Sequence, residues 1–60
     1  NYASAVEVLE QAAKIQPNVA KVHIDLGLSY YYLGQLEKAK TEFDQAKQLD
    51  ASINRSQFPI

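Results

Sequence analysis

Cysteine, methionine and tryptophan are all missing from this chain of 60 residues. Without cysteine, neither a disulfide nor a thiolate metal site reinforces the fold, and the redox compartment goes unread. A chain this short buries only about 60% of the surface that its unfolded form exposes. Its core must therefore come from packing between its own elements or from other chains. The missing Met, with an opening at Asn1 directly inside an apolar pattern, reads as a segment of a longer protein. Charge of one sign is also lacking, since six basic and seven acidic residues are scattered to a formal net charge of -1. No basic block can neutralise a row of phosphates, which argues against nucleic acid as a partner. Long hydrophobic runs are absent too, interrupted by Lys21, His23 and Asp25 or by Gln and Glu. A bilayer span needs roughly 20 apolar residues, so no membrane span is expected. These residues hold no signal peptide, although a segment of a longer chain could have lost one. A soluble protein is the expectation, its compartment open with the cytoplasm preferred.

What is present is helical periodicity. No stretch alternates with the period of two that a strand requires, and two punctuation points, Pro17-Asn18 and Gly34, divide the chain into three segments. The first, over residues 2–15, aligns Ala5, Leu9, Ala12 and Ile15 on one stripe and ends where Pro17 denies the next helical hydrogen bond. The second, over residues 20–33, carries Val22, Leu26, Tyr30 and Leu33 on one side and Ile24, Leu28 and Tyr31 roughly opposite. A helix apolar around most of its circumference needs neighbours on both sides. Gly27 inside it costs about 1 kcal/mol relative to Ala, so a close backbone approach is expected there. Gly34 is placed to end the helix with positive φ. The third segment, over residues 36–49, is half-exposed, with Leu36, Ala39, Phe43, Ala46 and Leu49 on its apolar stripe. Lys38 with Glu42 and Lys40 with Asp44 stand at pairing distance, each pair worth about 0.2–0.5 kcal/mol. The short loop at Gly34 forces an antiparallel helix hairpin.

Shifting the chain by about 34 residues matches Ala5 with Ala39, Leu9 with Phe43, Gln11 with Gln45, Ala12 with Ala46 and Ile15 with Leu49. Small residues meet small and large apolar residues meet large, as packing at equivalent sites demands. Leu26-Gly27, Tyr30, Ala39, Phe43 and Ala46 recur at the spacing of the tetratricopeptide signature, W-x2-L-G-x2-Y, then A-x3-F, then P. The chain therefore resembles the tetratricopeptide repeat (TPR) family. His23 departs from the signature Trp, and Ala51 from the signature Pro, whose place Pro17 fills one repeat earlier. The resemblance implies an all-α fold of helix hairpins in a right-handed α-solenoid. Residues 1–19 would be the second helix of a preceding repeat and residues 20–53 one complete repeat. Residues 54–60 either begin a further helix or leave the array, since Pro59 biases Phe58 away from helix. Ala5, Leu9, Ala12, Pro17, Leu26, Gly27, Tyr30, Ala39, Phe43 and Ala46 would be structural.

Catalytic constellations are not expected. His23, Asp25 and Ser29 hold the residue types of a hydrolytic triad, but residues two apart on a helix point about 200° away from each other. One histidine without a second soft ligand makes no metal site, and Gly27 and Gly34 form no phosphate-cradling loop. No cofactor, metal or enzymatic activity is therefore expected. The Tyr30-Tyr31-Tyr32 run suits recognition, because Tyr offers large contact area with a polar tip, although Tyr30 falls on the structural signature. In the family, the first helix of each hairpin lines a groove that contacts extended or helical peptides. Carried over, the groove residues are Lys21, Ile24, Asp25, Leu28, Tyr31 and Tyr32. Asp25 would repel a peptide carboxylate and Ile24 and Leu28 offer no donors, so a mostly apolar, aromatic groove is expected rather than an acidic-peptide clamp.

The leading expectation is a protein-protein interaction scaffold. Self-association through exposed stacking faces is an alternative, since about three repeats are normally needed for stability. A substrate-recruiting region of a larger enzyme is another.

Overall fold

The computed structural model describes residues 1–60, apart from the side chain of Arg55. Three α-helices follow one another: α1, Tyr2–Ile15; α2, Ala20–Tyr32; and α3, Leu36–Leu49. A 3-10 turn at Arg55–Gln57 completes the order, and the described residues include no strand.

Each helix end has a local cause. Asn1 opens α1, its Oδ1 accepting from the Ala3 and Ser4 backbone N–H groups at 3.0 and 3.2 Å. α1 stops two residues before Pro17. α2 ends one residue earlier than the apolar pattern suggests, with Leu33 as its cap. Gly34, at φ 80°, then turns the chain, donating its N–H to the Tyr31 carbonyl at 3.0 Å. The Gln35 N–H reaches the Tyr30 carbonyl at 2.9 Å, completing a Schellman motif. At the end of α3, where the repeat signature would put proline, Asp50 acts instead. Its Oδ1 accepts from both the Ser52 hydroxyl at 2.7 Å and the Ser52 N–H at 3.0 Å. Those two bonds hold the Asp50 carboxyl below the usual carboxylate range, against a small opposing effect of desolvation.

α2 packs against both α1 and α3. Its inward side presents Leu26, Gly27 and Tyr30, buried against Ala39 and Phe43 of α3. Phe43 is completely buried and is the centre of the core; burying such a side chain contributes about 1.5–3 kcal/mol. Gly27 makes this possible. A Cβ there would stand 2.6 Å from Phe43 Cδ1 and closer still to Cε1.

α1 is seated less deeply, and none of its residues is buried. Val6, Leu9 and Ala13 pack against the core, a face rotated from the stripe that the sequence suggests. Ala5 and Ala12 lie half-buried at its border, and Ile15 is 78% exposed. The tail returns to the core, with Phe58 stacked on Phe43 at a centroid distance of 4.1 Å and Ile60 beside it. Among the described residues no helix is long and apolar enough to cross a membrane.

Candidate functional site

Leu26 and Tyr30 line a crevice between α1 and α3, so those two helices lie on one side of α2. The other side of α2 carries the residues expected to form a groove. Ile24, Asp25, Leu28 and Tyr31 are half-buried there, while Lys21 and Tyr32 are exposed. Leu28 and Tyr31 also pack against the core cluster, so their inner edges support the fold while their outer edges face solvent. Lys21 Nζ lies 3.4 Å from Asp25 Oδ2, one turn along. An exposed pair of this kind contributes at most about 1 kcal/mol, but it cancels the only two charges on this face of α2.

The aromatic end of this face is larger than the sequence suggests. Tyr31 meets Tyr32 edge to face, with centroids 5.3 Å apart. Tyr2 of α1, not foreseen as a site residue, stacks on Tyr32 at 4.8 Å with planes 22° apart. Only the chain's return brings Tyr2 and Tyr32 together. The result is a ledge of three tyrosines drawn from two helices, with Tyr2 49% and Tyr32 58% exposed.

The opposite side holds the polar chemistry. The crevice between α1 and α3 has a volume of about 490 Å³, and Glu10, Lys14, His23 and Glu42 join Leu26 and Tyr30 in lining it. Tyr30 donates its hydroxyl proton to Glu10 Oε2 at 2.7 Å. Burial, that hydrogen bond and the charges of Glu10 and Glu42 push its phenol up to about 12. Glu42 does not pair with Lys38. It lies 2.7 Å from His23 Nδ1, while Lys38 Nζ stands 5.6 Å from the Tyr30 ring centroid. His23 Nε2 lies 2.8 Å from the Pro17 carbonyl oxygen. The 19 positions between His23 and Glu42 place this contact outside any helical spacing rule.

This arrangement does not assemble a nucleophile and base. Both ring nitrogens of His23 are engaged, Ser29 is buried, and Asp25 lies on the other face with Lys21. Among the described residues no three His, Asp or Glu side chains stand where they could hold a metal ion.

Successive helices joined by short turns, α2 packed on both α1 and α3 and a glycine of α2 admitting an aromatic ring of α3, define a helix-hairpin repeat protein. A family model described as tetratricopeptide repeat matches residues 1–55, and the chain belongs to the tetratricopeptide repeat family. Proteins of this family generally mediate protein-protein interaction, and the repeats themselves are typically non-catalytic. Neither the curated proteins nor the solved structures provide a match.

Proposed function

We propose that this chain is part of a scaffold that holds a segment of another protein against the outer face of α2. In this reading α1 is the second helix of one repeat, α2 and α3 form the next hairpin, and further hairpins continue a right-handed solenoid. The single observation that carries the reading is the tyrosine ledge beside Ile24 and Leu28, with Lys21 and Asp25 neutralising each other. Tyrosines held in place by one another offer contact area at low entropic cost. The favoured ligand is an uncharged extended or helical segment bearing apolar side chains. The ligand does not owe its affinity to a terminal carboxylate, because Asp25 stands beside the only cation of this face.

A display screen of peptides against the chain tests this, followed by affinities for Leu28→Ala and Tyr31→Ala. Each change should weaken captured peptides by about tenfold, near 1.4 kcal/mol. Affinities unmoved by both changes would remove α2 as the binding element.

A second reading, self-association, has its own support. Val8 and Ile15 on α1 are 69% and 78% exposed and share a face with half-buried Ala5 and Ala12. One repeat later the counterparts Ala39 and Ala46 are fully covered. Another helix, from a neighbouring repeat or a second copy, fits this uncovered face of α1. Sedimentation at rising concentration decides whether a second copy takes it, and a monomer throughout rejects that occupant.

A further inference from the structure

Histidine stands where the repeat signature has tryptophan, and its ring joins three parts of the molecule. From α2 it reaches the α1–α2 turn through the Pro17 carbonyl oxygen at 2.8 Å and α3 through Glu42 Oε1 at 2.7 Å. His23 is buried, its side chain 11% exposed. Both contacts are acceptors. A backbone carbonyl has no proton to give, and an ionised carboxylate has none either. A neutral imidazole carries one N–H and can satisfy only one of them, leaving a nitrogen lone pair facing an oxygen lone pair across the other contact. The imidazolium satisfies both.

We propose that His23 is a proton-dependent clasp: protonated, it ties the α1–α2 turn to α3, and on losing its proton it releases one of them and loosens the seating of α1. Groups of both signs surround it, and the one in contact with the ring is an acid. From α1, Glu10 and Lys14 line the same crevice; from α2, Tyr30 stays neutral; from α3, Glu42 makes direct contact, with Glu37 and Lys38 further along. Burial pulls the imidazole down, yet the hydrogen bond to Glu42, that to Pro17 and the Glu42 charge together outweigh it and raise its pKa. A histidine raised in the folded state adds stability that is fully present below the unfolded value of 6.5. That stability is lost as pH climbs through the folded value. The clasp thus loosens as pH rises through that folded value, above 6.5.

The test needs no ligand. Ring-nitrogen resonances of His23 and amide hydrogen exchange are followed on the whole chain from about pH 5.5 to about pH 8.5. Expected are both nitrogens protonated at the acid end and a midpoint above 6.5. Across that midpoint, protection of the α1 amides, corrected for intrinsic exchange, should fall by about three- to tenfold. Glu42→Gln keeps a good helix former and removes the charge, and it should return the midpoint toward the ordinary value and flatten the α1 response. A midpoint at or below 6.5 overturns the clasp. So does α1 protection that ignores the titration, or a Glu42→Gln chain that titrates like the parent.

Discussion

At the scale of single residues, Gly27 shows how one missing Cβ organises the hairpin. A Cβ at Gly27 would run into Phe43 Cε1, Cδ1 and Cζ, and Phe58 stacks on the same ring, which restrains it. In Gly27→Ala, the gain of about 1 kcal/mol in helix propensity competes with an overpacking cost of about 1–3 kcal/mol. The clash should win, with a net loss of about 1–2 kcal/mol in urea denaturation. An unchanged or higher midpoint would mean that the ring can move. The reason for this glycine was legible in the sequence, because a glycine inside an apolar helix asks for a close neighbour. The role of His23 was not. Its partners sit 6 and 19 positions away, and only the packing of α2 on α3 brings a carboxylate to a histidine that has no acid at helical spacing.

At the scale of elements, Gly34 governs the turn of the hairpin. It alone has positive φ among the described glycines, and nothing stands within 4 Å of where its Cβ would be. Any penalty for a side chain there is therefore backbone strain rather than collision. Gly34→Ala should lower stability by about 1–2 kcal/mol, while Gly34→Asn, which tolerates this conformation, should lose less. Thermal denaturation of the two variants checks the order, and equal losses would contradict it. Helix positions follow closely from Pro17, Gly34 and apolar periodicity, because those signals are local. The rotation of α1 does not, because it depends on which apolar side finds a partner. Val6, Leu9 and Ala13 find α2, which leaves Val8 and Ile15 outside. Tyr2 was missed for the same reason, since nothing local marks a residue at the start of α1 as the stacking partner of one at the end of α2.

At the scale of the whole molecule, the two sides of α2 divide the work. One faces α1 and α3 and carries the core and the His23 contacts; the other carries the tyrosine ledge, the surface proposed for a partner. The helices that flank α2 are unequal. Lys40 and Lys47 stand on α3 at the positions that match Val6 and Ala13 of α1 in the repeat register of about 34 residues, so the face by which α1 meets α2 is charged on α3. Any association between copies should therefore use α1 rather than α3. Amide chemical-shift mapping of a captured peptide on the isotope-labelled chain reads directly whether a partner is held on the outer face of α2. The largest changes are expected at Ile24, Leu28, Tyr31 and Tyr32, with Tyr2 alongside. Changes gathered instead around Glu10, Lys14 and Glu42, across the molecule in the crevice between α1 and α3, would contradict that placement.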